Sequence, residues 1–281
     1  MKLTESTFFG AIALIGLVQP LSADVITDWN DKAVTYVLGR SLGPPPAERT
    51  VAMTHVAMFD AVNSIEQRYR PYLVQLPAAA STSKEAAAAS AAGTILAAAN
   101  PQTQAEIKAA LASYLAAIPD GLNKAEGIKL GEAVAAKILQ ARAEDGSATP
   151  DSYRPKTAAG EYVPTPVMFA SMWSNVKPFA LTSAGQFRPA QPVSLTSTEW
   201  AADYNEIKLL GRINSATRSP DQTEAARFWL SVSGDVYYPL VHAVAAAKKL
   251  GVLDTARLFA RARVGRQSRQ PAGGVRSQVS L

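Results

Sequence analysis

His55 and His242 are the only two histidines in this 281-residue chain, and there is no cysteine. Imidazole is the side chain best suited to proton transfer near neutral pH and to metal ligation. Asp60 follows His55 closely, and Asp235 precedes His242. The stretch around His55 is almost wholly apolar, which predicts a hydrogen-bonded core histidine in preference to a ligand. His242 is expected to pack against a neighbour or cap a helix. A thiolate metal site cannot form without cysteine, and two histidines do not make a His-rich one. No Asp-His-Ser set can be assembled from the order and spacing, so a hydrolase triad has no support. Gly273-Gly274 lacks the strand–loop–helix context of a phosphate loop. Phe228 and Trp229, aromatics at helical spacing, are expected in the core and not against a cofactor. No residue is assigned a catalytic, cofactor-binding or metal-binding role.

The elements that would position these side chains are helices. Val25, Trp29, Ala33 and Tyr36 share one face of a helix over 25–38, stopped by Gly39 and the run Gly43-Pro44-Pro45-Pro46. The next, over 47–65, is apolar on several sides, as a helix central to a bundle is. It ends before Arg70-Pro71, since proline disfavours helix at its predecessor. Residues 78–99 include twelve alanines, the strongest helix former and small enough for close helix approach. Asn100-Pro101 caps a helix to about 117, and another spans 124–142. Seven prolines between 150 and 192 mark a long loop, which is expected to wrap the helices with its aromatic rings anchored. Thr196-x-x-Glu199 and Ser219-Pro220-x-Gln222 are capping boxes for helices to about 210 and 229. A helix over 238–250 closes at Gly251, and Asp254 caps a last one. The fold class is all-α, a multi-helix bundle.

That last helix is expected to stop at Ala260. Residues 261–281 contain five arginines, no acidic residue and no apolar period. The net charge is +5, and Arg261, Arg263, Arg266, Arg269 and Arg276 account for all of it. Residues 261–281 therefore read as a disordered Arg-rich tail. Because the excess charge lies in this segment and not on a folded face, a nucleic-acid partner is not expected.

Lys2, the apolar run 8–18 and the small-residue end Leu21-Ser22-Ala23 form a signal-peptide pattern over 1–23, with cleavage before Asp24. That run is too short to span a bilayer, so no stable membrane span is expected. The protein is expected to be secreted or periplasmic. With 48% apolar residues, residues 24–260 can bury a substantial core.

Several segments of this region have a familiar order. They include Asp28-Trp29-Asn30, the run His55-Val56-Ala57-Met58-Phe59-Asp60-Ala61-Val62-Asn63, and Arg68-Tyr69-Arg70-Pro71-Tyr72. Further along come Lys177-Pro178-Phe179, Gln186-Phe187-Arg188-Pro189, Leu195-Thr196-Ser197, Tyr204-Asn205-Glu206-Ile207-Lys208, Asp221-Gln222-Thr223 and Phe228-Trp229. Together they resemble the N-terminal part of bacterial vanadium-dependent haloperoxidase-like proteins of the type 2 phosphatidic acid phosphatase superfamily. The resemblance implies a helical fold and either halide oxidation by peroxide at a bound vanadate or phosphate monoester hydrolysis.

In such proteins a lysine, two arginines, a serine and a backbone N–H hold the anion, and a histidine bonds the vanadium or attacks phosphorus. The patterns that supply these groups are a lysine seven residues before Arg-Pro, then Pro-Ser-Gly-His, then Ser-Arg with a later histidine. Here the Arg-Pro pairs at 70, 154 and 188 have Asn63, Ser147 and Leu181 at the lysine position. Ser233-Gly234 is followed by Asp235 where the histidine belongs. The resemblance therefore implies a truncated member, inactive alone, that holds no cofactor itself, whereas full-length relatives take vanadate. The alternative is an exported helical binding or scaffold protein without catalysis. Self-association is expected through apolar surface left exposed on the C-terminal helices over 238–250 and 254–260.

Overall fold

The computed structural model describes residues 24–38, 43–154, 156–161, 163, 169–230 and 234–273, with backbone alone at 38, 234–237 and 266–273. Nine α-helices and two 3-10 turns, without a strand, make up the regular structure among these residues. The helices are α1 (Val25–Leu38), α2 (Pro44–Glu66), α3 (Lys84–Ala99), α4 (Gln104–Ala116) and α5 (Leu122–Ala141), then α6 (Thr198–Leu210), α7 (Pro220–Leu230), α8 (Gly234–Ala247) and α9 (Val252–Gly273). The all-α bundle expected from the sequence is the fold. No described helix is long and apolar enough to cross a membrane. The leader segment expected at 1–23 lies outside the described residues.

α2 is the central rod. Almost every side chain from Ala47 to Ile65 is buried, because α1, α3, α5 and α9 all pack on it. The proline run expected to lie before this helix forms its first turn instead. The N–H groups of a first turn have no intrahelical acceptor, so proline loses nothing there. α3 packs between α2 and α5, and its alanines keep both contacts close. A Cβ on Gly131 of α5 would stand 2.3 Å from the Ala87 carbonyl oxygen of α3, and one on Gly127 2.6 Å from that of Ser83. Only glycine permits that backbone approach.

Side-chain caps set several helix starts. The Ser83 hydroxyl accepts from Ala86 N–H at 3.1 Å, and the Asn100 side chain accepts from Gln102 N–H at 3.0 Å before a 3-10 turn leads into α4. At α7 the expected box closes both ways: Ser219 Oγ accepts from Gln222 N–H at 3.1 Å and Gln222 Oε1 from Ser219 N–H at 2.9 Å. At α6 the cap is Ser197, one residue later than expected, with its hydroxyl accepting from Trp200 N–H at 3.1 Å. α9 starts before Asp254, from the Gly251 carbonyl, which accepts from Thr255 N–H at 2.9 Å. Asp254 instead receives the Tyr69 hydroxyl at 2.5 Å and Arg68 at 3.3 Å. The Tyr69 bond, with Arg68 nearby, holds its carboxyl below the ordinary value.

Two corrections concern the C-terminal part. α9 does not stop at Ala260 but continues as helix to Gly273, so the expected disordered tail is helical over its first part, and 274–281 lie outside the described residues. Leu253, Ala256, Phe259 and Ala260 are buried in the core, and Arg263 extends their stripe by another turn at 3% exposure. The unpartnered apolar surface therefore lies elsewhere than on α9. α6 and α7 bury no residue. Phe228 and Trp229, expected in the core, are 56% and 59% exposed and pack edge-on against each other. Tyr204, Ile207 and Leu230 are exposed on the same two helices, and Leu240 and Val244 on α8.

The proline-rich loop is anchored by two of its rings. Trp173, in a 3-10 turn over Ser171–Asn175, and Phe179 are buried, whereas Phe169 and Phe187 are exposed; Tyr162 lies outside the described residues.

Candidate functional site

α1, α2, α8 and α9 meet at a polar cluster inside the apolar core, and both histidines are in it. Asn30 of α1 is the hub. Its Oδ1 is 3.1 Å from His55 Nε2 of α2 and accepts from Arg263 Nη2 of α9. Its Nδ2 is 2.9 Å from His242 Nε2 of α8 and donates to Asp31 Oδ1 at 3.0 Å. His242 Nε2 also lies 3.3 Å from Asp31 Oδ1. The Phe259 ring stacks on His55 at 5.2 Å and meets His242 edge-on at 5.1 Å. A second branch runs through Glu48, at 4% exposure: it accepts from the Tyr238 hydroxyl at 3.0 Å and lies 4.0 Å from Arg263 Nη1. The Arg263 guanidinium lies 3.2 Å over the Tyr238 ring, a cation–π contact away from water.

The expectation of a hydrogen-bonded core histidine holds for His55, but its partner is Asn30 and not Asp60. Residues five apart on a helix point about 140° apart at 100° per residue, so the two side chains diverge. Burial first, then Arg263 and His242, push the His55 imidazole well below 6.5. Its Nδ1 is buried without a hydrogen-bond partner, as a neutral ring protonated on Nε2 leaves it. His242 packs on Phe259 and bonds Asn30. The backbone of Asp235 belongs to α8 and its side chain lies outside the described residues.

A second polar cluster holds the proline-rich loop to α2 and α5. Asp145 accepts from Arg49 Nε at 2.8 Å and pairs with Arg142 Nη2 at 2.8 Å. Arg142 also donates to the Lys177 carbonyl at 2.7 Å and lies 3.9 Å over the Phe179 ring. A third group staples the segment after α2. Asp60 accepts from the N–H groups of Tyr72 at 2.7 Å, Leu73 at 2.9 Å and Val74 at 3.0 Å. Burial still holds the Asp60 carboxyl above 3.8, although these three bonds pull it down. Asn63 bonds both the N–H and the carbonyl of Tyr69, at 3.0 and 2.7 Å.

Asn30, Glu48, Arg49, Arg142, Asp145 and Arg263 did not stand out as site residues in the sequence. Glu48 was discoverable as an acidic residue opening an apolar helix. Arg263 was discoverable at i+4 from Phe259 and i+7 from Ala256, the stripe of the preceding helix. Asn30 stands in the Asp28-Trp29-Asn30 segment, where nothing in the spacing singles it out.

The vanadate that the resemblance implies requires several cationic donors facing one accessible space. The described residues do not fit it. Arg49 and Arg142 are bound to Asp145 and to loop carbonyls, and Arg263 is bound within the interhelical cluster. The two histidines face one amide across Phe259. A cleft of about 670 Å³ between α5 and the segment before α3 is lined by Leu122, Leu130 and Pro77, with Lys129 and Glu126 as its charged groups. Among the described residues no three His, Asp or Glu side chains are grouped to hold a metal ion.

No protein-family model matches this sequence, and no curated protein does. Among solved structures the chain is similar to one described as the crystal structure of the first bacterial vanadium-dependent iodoperoxidase. The match has 19% identity and a TM-score of 0.71, and covers 94% of this chain and 71% of that one. At that identity the likeness concerns the arrangement of helices: the chain has a haloperoxidase-like helical fold.

Proposed function

We propose that this chain is a truncated member of the vanadium haloperoxidase and acid phosphatase superfamily, and that alone it catalyses neither halide oxidation nor phosphate monoester hydrolysis. The observation that carries this is the engagement of its buried cations. Arg142 and Arg263 have internal partners, so neither faces a space where a multiply charged anion could sit. A single preorganised oxyanion donor is worth roughly 3–4 kcal/mol of barrier, and no such set is grouped among the described residues. Purified protein should give no halide oxidation with peroxide above that of vanadate in buffer, and no p-nitrophenyl phosphate hydrolysis above background. Vanadate-dependent iodide or bromide oxidation that phosphate suppresses would overturn the proposal.

A second reading, an exported helical binding or scaffold protein, is favoured by one observation. α6 and α7 display Phe228, Trp229, Leu230 and Ile207 to solvent while burying no residue of their own. Consecutive exposed apolar residues such as Phe228, Trp229 and Leu230 are a usual mark of a contact surface, and self-association is the consequence we expect. In size-exclusion chromatography with light scattering, the protein should run as a dimer or larger at micromolar concentration. Replacing Phe228, Trp229 and Leu230 by serine should return it to monomer. A wild-type monomer that binds no hydrophobic dye would remove the self-association proposal.

A further inference from the structure

We infer that the junction of α1, α2, α8 and α9 is a proton-operated latch, closed while His55 and His242 are neutral and released at α8 when they take up protons. The inference does not depend on any catalytic role. Among the described residues, the titratable and charged groups at this junction are Asp31 from α1, Glu48 and His55 from α2, Tyr238 and His242 from α8, and Arg263 from α9.

One assignment of protons makes every contact of Asn30 a hydrogen bond. A guanidinium only donates, so Asn30 must turn Oδ1 toward Arg263. The same oxygen faces His55 Nε2 at 3.1 Å, which therefore donates and bears the proton. The amide Nδ2 is left facing His242 Nε2 at 2.9 Å. An amide nitrogen only donates, so this contact is a hydrogen bond when the ring nitrogen is a bare lone pair; a proton there would turn the ring to Asp31 Oδ1, 3.3 Å away. With every contact of Asn30 made as a hydrogen bond, the two rings are opposite tautomers: Nε2–H at His55 and Nδ1–H at His242.

A proton on His242 Nε2 sets two donors face to face across 2.9 Å. Asp31 Oδ1, 3.3 Å from that nitrogen, offers the new N–H an acceptor on the exposed side, so His242 exchanges a link to the hub for one at the rim. A proton on His55 creates a cation beside Arg263, with a new donor at a buried Nδ1 that has no acceptor. Burial already disfavours that charge strongly. The imidazole is thus depressed below 6.5 in the folded chain, and the unfolded chain binds the proton more readily. The contribution to stability is full above pH 6.5 and falls as pH drops below it, by about tenfold in the equilibrium per pH unit for one proton.

α8 is the element that yields. Tyr238 and Ala245 are buried, but Leu240 and Val244 face solvent, so its polar anchors are a large share of its attachment. α9 keeps Leu253, Ala256 and Phe259 in the core whatever the histidines do. Local opening of a weakly packed segment is the ordinary outcome of such a difference.

Hydrogen exchange on the full chain at pH 7.5 and 5.5, corrected for intrinsic rates, tests this directly. Protection over 238–247 should fall about tenfold at the lower pH, and further than over 51–62 of α2. His55→Gln keeps an amide N–H donor toward Asn30, and His242→Gln offers an amide oxygen as acceptor, and neither titrates. The double variant should retain protection in α8 across both pH values. Acid-insensitive protection in the wild type, or unchanged acid sensitivity in the double variant, overturns the latch. If the double variant does not fold, nitrogen-15 imidazole shifts of the wild type at pH 7.5 decide: Nε2–H at His55 with Nδ1–H at His242 supports the latch, and any other pair overturns it.

Discussion

Replacing Asp145 by alanine should destabilise the fold by about 3–5 kcal/mol, the usual cost of removing one member of a buried ion cluster. A domain's whole stability is roughly 5–15 kcal/mol, so the loss is severe. Arg142 is nearly as buried as the carboxylate it pairs with, at 5% and 0% side-chain exposure. Without Asp145 the Arg142 and Arg49 guanidiniums would stand close together with no anion between them. The same residue also fixes the loop, since its carbonyl accepts from Lys177 N–H at 2.7 Å and its Oδ1 from Ser147 N–H at 3.1 Å. Urea titration should show the lowered midpoint, and limited proteolysis should find new cuts at 171–181. Asp145→Asn keeps the shape but not the charge and should fall between wild type and alanine.

The acid response of this cluster has a definite sign. Burial raises the Asp145 carboxyl, but the bonds from Arg49 and Ser147 outweigh it and leave it below 3.8. Its contribution to stability is therefore full above that value and is lost as pH falls through the lower folded one. The histidine latch responds at higher pH, so acid should loosen α8 before it loosens the loop. An Asp145→Ala protein with an unchanged urea midpoint would show that the pair with Arg142 contributes no net stability.

Helix positions were legible because they are local. Apolar spacing found α1, and Ser219 with Gln222 announced the box that opens α7. The roles of the polar residues were not legible, since their partners are distant in sequence or lie where no period exists. Asp60, Asn63 and Ser64 all look inward from α2, yet each bonds the irregular segment that follows: Ser64 Oγ accepts from Leu76 N–H at 3.0 Å, as Asp60 does from Tyr72, Leu73 and Val74. The Asn30–Arg263 contact joins residues 233 apart in sequence, beyond any local rule. Phe228 and Trp229 were misplaced because helical spacing says that a face is apolar and not whether anything covers it.

Ending the chain at Ala260 provides the sharpest contrast between sequence and structure. If residues 261–281 were only a solvated Arg-rich tail, their removal would leave stability unchanged. The structure requires a loss of about 3–5 kcal/mol, because Arg263 is the cation of a buried cluster. Without it Glu48, at 4% exposure, would keep its charge in the interior after losing a cation 4.0 Å away, and the Asn30 oxygen would lose a donor. Phe259 and Ala260 would also become the final residues of α9, where carbonyls have no helical partner and helices fray. A chain ending after Gly265 separates the two effects, since it keeps Arg263 and the half-buried Val264, which packs on the core. It should recover most of the stability, whereas Arg263→Met in the full chain should lose nearly as much as the chain ending at Ala260. Urea denaturation followed by circular dichroism measures all three. Equal midpoints for the full chain and the one ending at Ala260 would return residues 261–281 to the status of a tail and detach Arg263 from the core.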